Sequence, residues 1–485
     1  MTRRRTVLGL SVVVLALGAV VPSYAGEHRP AAGGPGTWVQ LSSGGHLESI
    51  DDPGVGRFGN QLQVVWTQPS GTKTRLATRV LDAHGVPTGP ASTVLTWQSL
   101  EEFPAVFAAG GQRVIAFSGL QDISSSLYSK GYGYYATSSD GSTWTVANGT
   151  FGASTSNYGS YGSDAIDAGG TPLMVSTPGT TNDVSFHSGF DTLPPTGTDG
   201  TTSHIPDCCA YWAGAGYDAS DGTSWTAWYS LTYKAGTDGI DVQQIEPTAG
   251  PRLHAPLSTT KQGSAWDSLE TDQRVQLAGR AGGGLYTAYA VGYPNATKVA
   301  LWKLGSAAPM LISTPAGAED IGVARGTGGR VWVFWWDQHT ATLHAARTNP
   351  AATRIGAACS VRTPHGTTSV WTTAGDGSTG PLDLVVNAGE GSADQLYSTQ
   401  VLPCLSAHVS PGRVSYAHGG KMTITLSDAG VPVAGATVTY AGSSRTTNDT
   451  GQATFSVAKH TAKGKHAISF RRHGYTAGSA AFRVR

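Results

Sequence analysis

The chain has 485 residues, enough to bury a large core, yet only 13% are charged and the formal net charge is zero. Balanced charge without a basic stripe points away from a nucleic-acid partner. The 65 glycines, 13 tryptophans and 18 tyrosines suit short strands joined by tight turns, and argue against long helices or disorder.

Arg3, Arg4 and Arg5 precede an apolar run, Val12 to Val21, which ends before Ser23, Tyr24 and Ala25. A basic segment, an apolar core and small residues at the third and first positions before a cut make a secretory signal over residues 1–25. The arginines also fit a twin-arginine signal, so both export routes stay open. No later stretch reaches membrane-spanning length. Residues 26–36 read as a Gly/Pro linker.

From there one pattern recurs seven times: a short strand, a glycine-containing turn, an apolar strand, a polar loop and a third strand. The apolar strands centre on Leu62–Trp66, Val114–Phe117, Leu173–Val175, Trp225–Trp228, Leu285–Tyr289, Val331–Trp335 and Leu382–Val386. Their mean spacing of roughly 53 residues, without helical periodicity between them, is the mark of a β-propeller. The expected fold is all-β: a seven-bladed propeller over residues 37–404, or a six-bladed one given the weak third repeat, followed by a small β-sandwich over 405–485. Trp38 to Leu41 is expected to complete the last blade.

Four cysteines in an exported chain are expected to be oxidised. Cys359 and Cys404 bracket the seventh repeat, where a bond would staple the closing blade. Cys208 and Cys209 are neighbours, and a Cys208–Cys209 bridge would be strained. The alternative pairs each of them separately with Cys359 and Cys404.

SSDGSTW at Ser138–Trp144 resembles the Asp box of sialidase-like propellers, and ASDGTSW at Ala219–Trp225 is a weaker echo. In that family the box is structural and lies away from the catalytic face. The resemblance also implies three substrate-binding arginines, a Tyr/Glu nucleophile pair and an acid/base Asp. Phe103–Val106 stands where the first arginine motif would be and holds no Arg. Arg274 and Arg325 fall on expected first strands, while Arg57 and Arg280 fall in turns at the far end, so the triad does not assemble. After Cys404, the segments Gly435–Tyr440, Thr446–Val457 and Gly464–Tyr475 resemble bacterial Ig-like and carboxypeptidase-regulatory-like modules, which implies a spacer or adhesion domain.

Three repeats carry like words before their first strands: HLES at His46–Ser49, SLEE at Ser99–Glu102 and SLET at Ser268–Thr271. With Glu319 of the sixth repeat, this puts Glu48, Glu101, Glu270 and Glu319 roughly 12 to 15 residues ahead of their apolar strands, around one mouth of the ring. Gathered carboxylates repel, and a bound calcium or a shared proton would relieve them; alternatively each caps turn amides. Asp207, Cys208 and Cys209 belong to the same circle, with Tyr211 and Trp212 beside them and Trp266, Asp267 and Trp97 on the same face. A sulfur-faced platform flanked by aromatic rings suits a sugar ring. Two readings follow. One is an extracellular protein binding a glycan or other cell-surface ligand on this face without a required cofactor. The other is a glycoside hydrolase using Glu101 and Glu270 as its carboxylate pair.

Overall fold

The computed structural model describes residues 35–42, 52–100, 103–121, 132–147, 163–177, 185–188, 199–201, 210–230, 238–258, 273–292, 296–314, 317–390 and 393–485. Glu48, Glu101, Asp207, Cys208, Cys209, Trp266, Asp267, Glu270 and the expected signal segment lie outside them. The described residues are all-β apart from one 3-10 turn at Thr327–Gly329.

Among the described residues, seven antiparallel sheets precede residue 402. Their innermost strands are Gly54–Phe58, Ala105–Ala109, Ser163–Ala168, Ala210–Asp218, Ala278–Gly279, Ala318–Arg325 and Ser369–Asp376. In the first six sheets each later strand pairs with the one before it, and Ser99–Leu100 adds a short piece to the second. The seventh takes its outermost strand from the other end of the chain: Val39 pairs with Ser398 and Gln40 with Tyr397, as expected for Trp38–Leu41. The Trp38 indole donates to Arg362 O at 2.7 Å, tying this strand to the sixth sheet.

The sheets close into a β-propeller because each shares a hydrophobic cluster with the next, and the last shares one with the first. Val65, Ile115 and Phe117 belong to the cluster between sheets 1 and 2, and Leu62, Trp66, Val385 and Leu396 to that between sheets 1 and 7. The second strand of each sheet is therefore covered on both faces. Val331–Asp337 is buried at every position, which is why these strands read as apolar runs rather than alternating ones. Cys359, on the outer strand of sheet 6, is bonded to Cys404 just past sheet 7, with Cα atoms 5.4 Å apart. Neither sulfur is then left for Cys208 or Cys209.

Beyond residue 405 two further sheets pack around a single core of Met422, Ile424, Leu426, Val438, Phe455, Ile468 and Phe482. Here the strands alternate, Gln452–Val457 with every second side chain buried, because only one face of each sheet is covered. This unit is fastened to sheet 6 through Asp428. Its carboxylate accepts from Arg347 Nη2 at 2.5 Å and from the Tyr475 hydroxyl at 3.1 Å, and lies 3.3 Å from Arg330 Nη2.

The turn at Ser138–Trp144 is bonded through Asp140. Asp140 Oδ1 accepts from the amides of Ser142 at 2.8 Å and Thr143 at 2.9 Å, and Gly141 takes φ +79°. Bonds from Thr143 and Ser142 hold the exposed Asp140 carboxyl far below its ordinary range.

Candidate functional site

The inner strands run in the same sense around the axis, so one face of the ring, here the upper, holds their starts and the other their ends. Between Ala210–Asp218 and Ala278–Gly279 the chain returns to the axis through Gln273, Arg274, Val275 and Gln276. These four residues reach every sheet of the ring.

Arg274 does most of this. Its Nε donates to Asp52 Oδ2 at 2.8 Å and its backbone amide to the same oxygen at 2.8 Å, while Nη1 donates to Asp164 Oδ1 at 2.7 Å. Nη2 bonds the carbonyls of Asp52 at 3.1 Å and Pro104 at 3.0 Å, so sheets 1, 2 and 3 meet on one guanidinium. Toward sheet 4, the Val275 amide donates to Trp212 O at 2.9 Å. Toward sheets 6 and 7, Gln273 Nε2 donates to Ile321 O at 2.7 Å and its Oε1 accepts from the Thr373 amide at 2.8 Å, while Gln276 Oε1 accepts from Val323 N at 3.2 Å.

The partner strands are shaped for this. The ladders of sheets 4, 6 and 7 slip between Tyr211 and Gly214, between Glu319 and Gly322, and between Val370 and Thr372. Each bulge turns ladder groups toward the axis. Gly214 has to be glycine, because a Cβ there would stand 1.8 Å from Val275 O.

Arg274 is 6% exposed. Burial opposes its charge, but Asp52 and Asp164 outweigh burial and hold the guanidinium more firmly protonated than usual. Asp52 is pushed up by burial, with Arg274 opposing, and among the described residues its Oδ1 has no hydrogen-bond partner.

Next to this plug the inner strands line a cavity of about 860 Å3. Small residues of the inner strands form its walls, among them Gly56, Ala108, Gly216, Ala278, Ala324 and Gly375. Around the mouth, Asp376 accepts from Arg57 Nε at 2.9 Å and Arg325 Nε at 3.2 Å, and Arg57 also bonds Asp383. Burial raises Asp383 while Arg57 lowers it. Arg280 spends its donors on the carbonyls of Gly283, Pro350 and Gly282. Asp167 accepts from the Gly170 amide at 2.6 Å. Every lining carboxylate thus has a bonded partner.

Several expectations change. Tyr211 and Trp212 are 4% and 8% exposed and pack with Phe103, Tyr229, Val275 and Trp302 in the core of sheets 4 and 5, leaving little ring surface for a sugar. Trp97 is likewise buried, edge-on to Phe117 and Tyr134. Glu319 lies inside the strand Ala318–Arg325, opposite Trp336, and accepts from Gln338 Nε2 at 2.8 Å. Arg57 is not in a turn: it belongs to the strand Gly54–Phe58 because the ladder continues past Gly56 to Phe58 and Gln61. Arg274, expected on a first strand, precedes the strand Ala278–Gly279, and its donors are taken by Asp52, Asp164 and the carbonyls of Asp52 and Pro104. Among the described residues no group of three or more His, Cys, Asp or Glu side chains is arranged to hold a metal ion, and no helix is long and apolar enough to cross a membrane.

Asp52, Asp164, Gln273 and Gln276 escaped the sequence reading. Two acids and one base stand roughly 10 residues ahead of the apolar strands of repeats 1, 3 and 5, complementary charges at like positions. That is the signal by which they could have been found.

No family model matches the chain, and no curated protein matches it. Among solved structures it is similar to the polysaccharide lyase Uly1, at 11% identity over 75% of this chain and 92% of that one, TM-score 0.44. It is similar to the Hadza microbial sialidase Hz136 at 10% identity, over 68% of this chain and 74% of that one, TM-score 0.41. A Trypanosoma rangeli sialidase matches at 10% identity over 73% of this chain and 55% of that one, TM-score 0.42. Likenesses this distant do not bear on what the chain does.

Proposed function

We propose that this chain is an exported, seven-bladed β-propeller with a C-terminal β-sandwich, and that it binds a carbohydrate in the axial cavity of its lower face. The observation that carries the reading is the plug. It stands at one end of a cavity of about 860 Å3, within the range of small-ligand sites. Four arginines and four aspartates line it, Arg57, Arg274, Arg280 and Arg325 against Asp52, Asp164, Asp167 and Asp376. With charge balanced and polar atoms dense, the cavity suits a neutral ligand rich in hydroxyls, each able to donate and accept. Binding is favoured over hydrolysis because a glycosidase needs two carboxyl groups free to act on the substrate, and of the four lining aspartates Asp52, Asp164 and Asp376 are each paired with an arginine. Export is supported by the Cys359–Cys404 bond.

Calorimetric titration of the mature protein with neutral oligosaccharides tests this. Binding is expected, and Ala108→Trp, which fills the cavity from an exposed wall position, is expected to abolish it. Binding that survives Ala108→Trp but is lost in Glu101→Gln or Glu270→Gln would move the site to the upper face. Release of reducing sugar that needs the two glutamates would make the protein a hydrolase.

A further inference from the structure

The zero net charge of the chain conceals a division. Residues 405–485 hold ten Lys and Arg against two Asp and Glu, a formal +8, so the preceding residues carry −8. Of the two acids, Asp428 is buried against Arg347 and Arg330 of sheet 6, and Asp449 is exposed. All ten cations are exposed, and among the described residues none of them stands in an ion pair.

The larger sheet of this unit runs in the order Arg413–Val414, Gly478–Val484, Gly464–Arg471, Thr437–Tyr440 and Ser443–Thr446. Alternation puts Val484, Phe482, Ile468 and Phe470 in the core and turns Arg413, Arg483, Lys465 and Arg471 to the outer face. Arg413 is the register partner of Arg483, and Arg483 of Lys465, so three cations form a row across adjacent strands about 4.8 Å apart. Like charges directly opposite one another destabilise a sheet. Charge on an edge strand prevents unwanted pairing, which accounts for Arg413, but Arg483 and Lys465 are on interior strands.

Beside this row the face is flat and rich in hydroxyls. Ala481 and Ala467 pair next to it, and beyond them Ser479, Ser469, Thr439 and Ser444 line up across four strands, the last two bonded at 2.9 Å. A polymer laid across the strands over the two alanines has cations along one side and hydroxyls along the other. The outer positions carry no aromatic ring to stack on a base, and no large exposed apolar side chain to enter a lipid headgroup layer.

We propose that the outer face of this sheet binds an anionic polysaccharide, with carboxylate or sulfate groups on Arg413, Arg483 and Lys465 and sugar hydroxyls on the serine and threonine row. The site is separate from the axial cavity and does not rest on the reading of that cavity. Asp428 fixes the unit on sheet 6, so the polymer is held at a set position relative to the propeller.

The test is titration of the mature protein with polygalacturonate, dextran sulfate and neutral dextran at low and high salt. Binding to polygalacturonate or dextran sulfate is expected, weakening as salt rises, with none to dextran. Arg483→Ser combined with Lys465→Ser is expected to weaken it by on the order of 10-fold, the loss that two cations facing an anionic surface account for. Lys421→Ser combined with Lys459→Ser removes the same charge from the other sheet and the turn after it, and should change the affinity by less than about 2-fold. All four replaced side chains are exposed, and the wild-type arm needs no variant. Failure of the wild type to bind either polyanion, or equal losses in the two double variants, overturns the proposal. So does tighter binding of duplex DNA or of phosphatidylglycerol vesicles, and loss of polyanion binding in Ala108→Trp would place the polymer in the axial cavity instead.

Discussion

Two of the buried ion clusters among the described residues mirror each other. On the propeller axis one arginine, Arg274, lies between two acids, Asp52 and Asp164; at the C-terminal junction one acid, Asp428, lies between two arginines, Arg347 and Arg330. The axial cluster joins residues 222 and 110 positions apart in the chain. The junction joins Arg347 and Asp428, 81 apart, and serves one interface. Arg274 is enclosed by three sheets and its neighbours Gln273, Val275 and Gln276 engage three more. Asp428 is backed by the Tyr475 hydroxyl and by Arg347 lying over the Trp332 and Tyr475 rings, at 5.6 and 5.4 Å. The same chemistry therefore does different work. On the axis it holds a ring shut and makes a cavity, and at the junction it fixes how the second unit is presented. A C-terminal module fastened by buried charge is oriented by the propeller rather than hung from it as a spacer.

Breaking the axial cluster should have the larger effect. Arg274→Met leaves two carboxylates in the core without their cation, and is expected to lower the unfolding free energy by about 3–5 kcal/mol in a denaturant titration. The same variant opens the plug, so oligosaccharide binding should fall with it. Asp428→Ala leaves Arg347 and Arg330 facing each other at the edge of solvent. It should cost about 2–3 kcal/mol and expose the chain around residues 402–406 to limited proteolysis while the propeller stays folded. Proteolysis unchanged in this variant would mean that apolar contact alone holds the unit.

The smallest expected effect sharpens the contrast, because it concerns a partly buried group outside either cluster. His344 stacks on Trp335 with centroids 5.2 Å apart, and its Nε2 is 3.9 Å from Asp337. Burial pushes its pKa below the ordinary 6.5, with Asp337 opposing. The folded state then binds this proton less readily than the unfolded chain. The contribution is complete above pH 6.5 and is lost as pH falls through the lowered value. The difference in stability between wild type and His344→Phe should therefore shrink between pH 7 and 5, by less than about 1 kcal/mol given partial exposure. A difference independent of pH would show that His344 titrates alike in both states.

The fold was legible where burial is two-sided and continuous. Val331–Trp335 and Leu285–Tyr289 stand out because a strand pressed between neighbouring sheets must be apolar throughout, and Gln452–Val457 because a strand covered on one face must alternate. The functional residues were less legible. Tyr211 and Trp212 look like a binding platform in sequence, because aromatic rings serve cores and sugar sites equally well, and only the packing against Phe103 and Trp302 tells which.

What the sequence by itself determined is the repeat: its period, its strands and the borrowed last strand at Val39–Gln40, set by patterns local to one repeat, while the partners of Cys359 and Cys404 stayed open until the structure joined them. What only the tertiary structure decided is the meaning of its polar residues. Arg274 could have met a ligand or a carboxylate, and Asp52 and Asp164 are unremarked acids until the ring closes. Charges act through space over a few ångströms, and nothing in the order of residues 52, 164 and 274 states that closure brings them within hydrogen-bond reach.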